Sequence, residues 1–246
     1  MTKAFRFYKT GGPDVMQWQD VDVPTPGDGQ VRIRHTAVAV NFRDVLVRQG
    51  VHAAAAMPSG LGIEGTGTIE AIGPGVNGFA VGDRVTCVAG PDGAYAEARN
   101  VPANRVVPLP DSIDDRTAAA MMVRGSTARY LLHGTYKVKP GDTILVHAAA
   151  GALGRILCQW AKHLGATVIG TVGSDEKAAT ARAHGCDHAL VTPREDFVAR
   201  VREITKGEGV PVAYDSVGKA TFEGSMRCLR RFGILASYGE ASGDPD

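Results

Sequence analysis

The sequence predicts an α/β protein in two parts: an antiparallel β-barrel or sandwich, then a parallel sheet covered by helices on both faces. Three observations predict it. Short apolar runs broken by Gly and Pro turn signals fill residues 5–110. After Pro140 the rhythm changes to strand, helix, strand, helix. A glycine-bearing turn joins the first strand of this second region to its first helix. The two textures meet near residue 125, so the expected domains are 1–125 and 126–246.

In the first part, Gly11-Gly12-Pro13, Pro24 to Gly29, Gly73-Pro74-Gly75, Gly82-Asp83 and Gly90-Pro91-Asp92-Gly93 mark the turns. Between them Gln30 to Ala39 alternates, with Val31, Ile33, His35, Ala37 and Ala39 on one face and Arg32 and Arg34 on the other. This is the pattern of a strand with one wet face. Asn41 to Arg48 reads as a short helix after that strand.

In the second part the expected strands are Thr143–His147, Thr167–Val172, His188–Val191, Val212–Asp215 and Ile234–Tyr238. Helices fit Leu153–Leu164, Asp175–His184, Arg194–Thr205 and Lys219–Leu229. In the first helix Leu153, Leu157, Trp160, Ala161 and Leu164 form one apolar stripe, and Gly165 stands where a left-handed cap ends it.

A chain of 246 residues with 44% hydrophobic and 22% charged content can bury one substantial core or two smaller ones. With 27 Lys plus Arg against 26 Asp plus Glu, the net charge of +1 provides no broad field for nucleic acid or an anionic membrane. Lys3, Arg6 and Lys9 interrupt the N-terminal stretch, and Ile144–Cys158 is too short and too broken to span a bilayer. A soluble cytoplasmic protein is expected. Cys87, Cys158, Cys186 and Cys228 lie far apart without a C-x-x-C pair, which supports neither structural zinc nor a disulfide framework. Cys158 falls in the helix pattern and reads as a small core residue rather than a nucleophile.

The chemistry is carried by the turn. Thr143–His147 runs into Ala148-Ala149-Ala150-Gly151-Ala152-Leu153-Gly154, a G-x-G-x-x-G pattern with Ala149 in first place. Gly151 allows a pyrophosphate to approach the backbone, Gly154 allows the helix to pack on the strand, and the N–H groups at the helix start face the anion. A site of this kind draws on Ala149, Ala150, Gly151, Ala152 and Leu153. An NAD site places Asp or Glu at the tip of the second strand. Here the tip is Gly173-Ser174, leaving room for a 2′-phosphate, and Lys177 stands in the first turn of the next helix, where a cation needs a compensating anion. Lys177 is either that phosphate contact or a solvated lysine paired with Asp175 or Glu176. The preferred cofactor is NADPH.

The run from Gly141 to Gly154, continuing to Gln159-Trp160-Ala161-Lys162, resembles the signature of the quinone oxidoreductases, the zeta-crystallin branch of the medium-chain dehydrogenases. Gly11-Gly12-Pro13, Val40 to Asp44, Pro58 to Gly62, Gly82 to Val85 and Tyr214 to Gly218 are similar to family motifs in the same order, so the resemblance covers the whole chain. It implies a GroES-like barrel domain followed by a Rossmann domain, with NADPH between them. Zinc-dependent relatives carry Cys where this chain has Asn41 and His where it has Ile63, so the resemblance is to the zinc-free branch. No metal is expected. Hydride would pass from nicotinamide to a quinone or an enone-like, electron-poor carbonyl compound.

By the same resemblance Asn41, Phe42 and Asp44 line the nicotinamide region, with Arg124 and Thr127 at the domain junction and Thr127 touching the cofactor. The catalytic set is Asn41, Asp44, Arg124 and Thr127. Asn41 is alternatively a turn former, and Arg124 either holds an oxyanion or sits near a phosphate. Asp44 and Glu64 have the alternative of structural ion pairs with Arg43, Arg48 or Arg84, which is favoured for Glu64. Ser216, Val217, Tyr238 and Gly239 end strands at the ligand edge of the sheet, although Tyr238 is as readily a core-shielding aromatic. Leu46 and Thr192 stand where the family often has tyrosines for adenine or phosphate contact; Leu46 can only pack, Thr192 can donate a hydrogen bond, and Arg194 stands close enough to compensate in part. Enoyl-thioester reductases share the scaffold but need a well-placed acid, for which Tyr95 and Tyr130 are loose candidates.

Five strands are expected where a complete dinucleotide domain has six, and the end at Asp246 looks like a truncation. The family dimerises through the sixth strand, so a homodimer is doubtful here. The alternative to a reductase is then a non-catalytic NADPH-binding protein; nucleic-acid binding draws no support from the charge balance.

Overall fold

The computed structural model describes residues 1–54, 56–88 and 92–245. Of the turn expected at Gly90 to Gly93, Gly90 and Pro91 lie outside the described residues, as does Asp246. The chain divides into two compact units, Met1–Val123 and Arg124–Asp246.

In the first unit β1 (Thr2–Phe7) and β2 (Met16–Val21) form an antiparallel ribbon in register from Thr2↔Val21 to Phe7↔Met16. β3 (Gln30–Val38) leads into α1 (Phe42–Gln49), and β4 (Gly65–Ile72), β5 (Arg84–Cys87), β6 (Ala98–Pro102) and β7 (Val106–Pro108) follow. β3 to β7 make one antiparallel sheet in the order β6-β3-β4-β5-β7. The alternation expected for β3 is present: Val31 and Ile33 are fully buried in a core with Ile69, Val85 and Val101, while Arg34 turns outward to Glu70 at 2.7 Å. Gly67 is required where β4 meets β3, because a Cβ there would stand 1.9 Å from the Arg34 carbonyl oxygen.

A helix that the sequence pattern does not disclose, α2 (Asp115–Tyr130), runs through the unit boundary. The second unit then alternates β8 (Thr143–Val146), α3 (Ala152–His163), β9 (Thr167–Val172), α4 (Asp175–Ala183), β10 (His188–Val191), α5 (Phe197–Ile204), β11 (Val210–Asp215), α6 (Phe222–Cys228) and β12 (Leu229–Ser237). All five strands are parallel, in the order β10-β9-β8-β11-β12. Numbered along the chain this is 3-2-1-4-5, a doubly wound sheet whose order reverses between β8 and β11. The α3 stripe packs as its spacing predicts: Leu157 and Ala161 are fully buried, Leu153, Trp160 and Leu164 flank them, and Gly165 takes φ 85°.

Three elements start three or more residues away from expectation. α5 begins at Phe197 rather than Arg194 because Asp196 caps it, accepting from the Val198 and Ala199 N–H groups at 2.9 and 3.3 Å. α6 begins at Phe222 rather than Lys219 because Asp215 takes the N–H groups of Val217 and Gly218 and holds that stretch as a turn. β12 begins at Leu229 rather than Ile234, since residues between them bulge out of the pairing with β11 and Phe232 adopts φ 61°. Among the described residues no helix is long and apolar enough to cross a membrane.

A methyl group at Gly170 would lie 2.5 Å from the Ala149 Cβ and 2.7 Å from the Cys186 Sγ. Gly170→Ala therefore overpacks the second unit, with a cost of about 1–3 kcal/mol. Thermal denaturation should show it melting several degrees below the parent; an unchanged midpoint would refute the packing argument.

Candidate functional site

The turn after β8 is built from close approaches. Ala148 carries the left-handed conformation, φ 50°, and the next residue, Ala149, is fully buried with its N–H on the Thr171 carbonyl at 3.0 Å. The side chain in the first glycine position is accommodated by Gly170 on the neighbouring strand. Gly151 donates to the Ala148 carbonyl at 2.8 Å and is the N-cap residue of α3. A Cβ on Gly154 would sit 2.2 Å from the Ala148 oxygen, so this position admits only glycine and brings the helix against the turn.

The start of α3 has neither a side-chain cap nor an acidic residue in its first turn, unlike α4, capped by Ser174, and α5, capped by Asp196. Its leading N–H groups lack intrahelical acceptors by geometry and carry the positive end of the helix dipole. Together with the glycine cradle, these donors fit a pyrophosphate.

At the tip of β9, Gly173 is exposed and nothing lies within 4 Å of where its Cβ would be. Ser174 accepts from the Lys177 N–H at 3.3 Å, while the Lys177 ammonium is exposed and makes no ion pair among the described residues. The alternative pairing of Lys177 with Asp175 does not occur, because Arg194 holds that carboxylate in a fork, one arm at 2.7 Å. Arg194, expected to compensate in part for Thr192, is the other member of this pair. Its guanidinium is engaged, and the Thr192 hydroxyl donates to the Val172 carbonyl at 3.3 Å.

At the ends of β11 and β12, Ser216 and Val217 are half-buried, and Tyr238 donates its N–H to the Asp215 carbonyl at 2.9 Å. A Cβ on Gly239 would fall 3.0 Å from the Ser216 oxygen, so the two strand ends run close together. The Tyr238 ring packs against the core cluster, and burial pushes its phenol pKa up. Within this unit Ala149, Ala150, Gly151, Ala152, Leu153, Gly173, Ser174, Lys177, Thr192, Ser216, Val217, Tyr238 and Gly239 all follow carboxyl ends of strands of one parallel sheet. That edge is where open α/β sheets hold ligands.

In the first unit Asn41 and Asp44, 8% and 3% exposed, sit at the start of α1 with Phe42 exposed and Leu46 half-buried. Asp44 Oδ2 accepts from the Asn41 backbone N–H at 2.9 Å and from the Tyr95 hydroxyl at 2.8 Å. Asn41 thus serves the helix start, as its alternative reading had it, yet its Nδ2 and the Asp44 Oδ1 are both buried without a hydrogen-bond partner. Burial raises the Asp44 pKa above the ordinary carboxylate range, outweighing the hydrogen bonds from Asn41 and Tyr95. Tyr95, only a loose candidate from the sequence, is therefore joined to the Asn41–Asp44 pair.

The proposed arginine partners of the carboxylates are occupied elsewhere. Arg43 pairs with Asp92 at 2.7 Å, Arg84 with Asp115 at 2.6 Å, and Arg48 donates to the Gly11 carbonyl at 3.1 Å. Glu64, fully buried, accepts the Val123 N–H at 2.7 Å. Arg124 and Thr127 are half-buried on α2. Asn41 and Ile63 supply no metal-ligating pair, and among the described residues no group of three His, Cys, Asp or Glu side chains is placed to hold a metal ion.

Two family models match: one described as zinc-binding dehydrogenase over residues 152–246, the other as alcohol dehydrogenase GroES-like domain over residues 27–111. The chain is 49% identical to a 2-haloacrylate reductase of a Burkholderia species, over 100% of its own length and 75% of that protein. It is 47% identical to a quinone oxidoreductase of Pseudomonas aeruginosa, covering 99% of this chain and 75% of the relative. Among solved structures, the quinone oxidoreductase of Pseudomonas syringae superposes with a TM-score of 0.98 at 46% identity, covering 100% of this chain and 76% of that one. The quinone oxidoreductase of Escherichia coli, complexed with NADPH, gives 0.97 at 40% identity, covering 99% and 75%. With a GroES-like first unit, a doubly wound second unit and relatives this similar over nearly its whole length, the chain belongs to the quinone oxidoreductase family of the medium-chain dehydrogenases.

Proposed function

We propose that this chain transfers reducing equivalents from NADPH to a quinone or a related electron-poor carbonyl compound such as an enone, without a metal ion. The observation that carries the reading is the uncapped start of α3 over the Gly151–Gly154 cradle, at the point where the sheet order reverses. Bound there, the cofactor would supply a hydride from its nicotinamide ring. The backbone at Ala149, Ala150, Gly151, Ala152 and Leu153 holds the pyrophosphate through donors already aimed outward. Gly173 and Ser174 leave space at the adenosine ribose, and Lys177, with no carboxylate of its own, answers the 2′-phosphate. Thr192 borders the adenine side, and Ser216, Val217, Tyr238 and Gly239 hold the nicotinamide half.

In the first domain, expected over residues 1–125, Asn41 and Phe42 shape the nicotinamide region, Leu46 packs toward the adenosine phosphate, and Asp44 supplies a proton. Because Oδ2 already accepts from Asn41 and Tyr95, a proton on Asp44 resides on Oδ1, the oxygen without a partner. Arg124 steadies the oxyanion that develops as hydride arrives, and Thr127 orients the cofactor. Hydride acceptance by quinones is intrinsically easy, so the protein's main contribution is orientation. The zinc-binding description of the matching family model has no counterpart in the donors placed together among the described residues, and no step here runs through a metal. The four buried, unbridged cysteines accord with the cytoplasm.

Oxidation of NADPH by a small ortho-quinone tests the assignment: saturable turnover is expected, and saturable binding without turnover would leave a nucleotide-binding protein only. Lys177→Ala should raise the KM for NADPH about three- to tenfold, as loss of one exposed phosphate contact does. The KM for NADH should hardly move; equal effects on both cofactors would remove Lys177 from the 2′-phosphate.

Asp44 allows a test by pH. Folding raises its pKa, so its contribution to stability is fully present below the unfolded value of about 4 and is lost as pH rises through the raised folded value. Asp44→Asn should abolish that loss, so its melting temperature falls less than the parent's on going from acid to neutral pH. It should also lower turnover about tenfold or more and flatten the alkaline fall in kcat, the signature of a removed general acid.

A further inference from the structure

The residues already assigned leave a buried polar chain at the heart of the second unit unused. His147, Asp215 and Ser225 are fully buried, and Thr171 is 4% exposed. The Thr171 hydroxyl lies 2.8 Å from His147 Nδ1, and Ser225 Oγ lies 2.8 Å from His147 Nε2. Ser225 Oγ also donates to Asp215 Oδ2 at 2.7 Å. Asp215 Oδ1 accepts from the Thr221 hydroxyl at 2.8 Å and from the Val217 and Gly218 N–H groups at 2.8 and 3.1 Å.

The direction of the chain follows from its end. An ionised Asp215 can only accept, so the single Ser225 hydrogen points to it. Ser225 Oγ must then accept from His147 Nε2–H, and Nδ1 is left to accept from the Thr171 hydroxyl. A neutral imidazole satisfies every member. Burial, working against the attraction of Asp215, lowers the His147 pKa to about 4, which keeps the ring neutral.

The placement is what gives the chain a function. Thr171 is next to the last residue of β9, ahead of Gly173 and Ser174; His147 directly follows β8, ahead of the Ala148–Gly154 turn; Asp215 ends β11, ahead of Ser216 and Val217. Three of the loops assigned to the dinucleotide, those after β8, β9 and β11, thus each leave a strand with a buried polar side chain at its end that belongs to one hydrogen-bonded chain. Backbone bonds reinforce it, from the His147 N–H to the Tyr214 carbonyl and from the Ala149 N–H to the Thr171 carbonyl, both at 3.0 Å. None of its side chains is exposed enough to touch a ligand.

We propose that Thr171, His147, Ser225 and Asp215 form a positioning relay that holds three of the dinucleotide-binding loops, those after β8, β9 and β11, in mutual register across the point where the sheet order reverses. The role toward NADPH rests on the function proposed above; the order imposed on the loops does not.

Ser225→Ala cuts the relay at its middle. In the ligand-free protein, hydrogen exchange at the Val217 and Gly218 amides should accelerate tenfold or more. The NADPH dissociation constant should rise by about the same factor, while the KM for quinone at saturating NADPH stays within twofold. Asp215→Ala should do likewise, and Asp215→Asn should recover most of the loss. An amide at Oδ2 donates to Ser225, which turns every hydrogen bond of the relay around without breaking one. Should Ser225→Ala fail to fold, Thr171→Val severs the other end and is read the same way. Unchanged exchange in a folded variant overturns the proposal, as does faster exchange with unchanged NADPH affinity, or Asp215→Asn behaving as Asp215→Ala. If the parent chain binds no NADPH, the cofactor reading fails, and the exchange measurement alone still decides whether the relay orders the loops.

Discussion

The second unit depends on how closely α3 approaches the end of β8. With the Ala148 oxygen 2.2 Å from where a side chain at 154 would begin, the helix can dock only on a glycine. Its docking fixes the direction of the first helical turn and hence of the N–H groups that lead it. The left-handed Ala148 and the buried Ala149 follow from the same constraint, and so does the glycine at 170 that receives the Ala149 methyl. What looks in sequence like a motif with its first glycine missing is a motif whose spare volume has moved to the adjacent strand.

Much of this was legible in the chain. Near-continuous apolar strands, the α3 stripe and the glycine turn located all five parallel strands and the four helices between them, because each signal is local and strongly periodic. The β3 alternation was equally plain. α2 was not, since its Ala, Met and Arg residues form no single apolar face: Ala118, Ala119 and Ala128 are buried while Met121 is 40% exposed. The late starts of α5 and α6 were also hidden, because each is set by one carboxylate, Asp196 or Asp215, choosing backbone partners.

The candidate site divides along the same line. Residues defined by backbone geometry, such as Gly151, Gly173 and Ser216, are written in the order of strand and turn. Residues defined by partners far along the chain are not: Tyr95 joins Asp44 across fifty-one positions, and His147 meets Ser225 across seventy-eight. The arginines make the point in reverse. Arg43 and Arg84, which the sequence offers as partners of Asp44 and Glu64, are taken in space by Asp92 and Asp115. Opposite charges at short spacing are too common to identify a pair.

The cysteines carry a last consequence. Quinones and enones are soft electrophiles that arylate or alkylate accessible thiolates. All four sulfurs here are interior and unbridged, and desolvation pushes the Cys87 and Cys228 thiols further from ionisation. A quinone or enone that reaches this chain therefore finds all four of its cysteine thiols shielded in the interior.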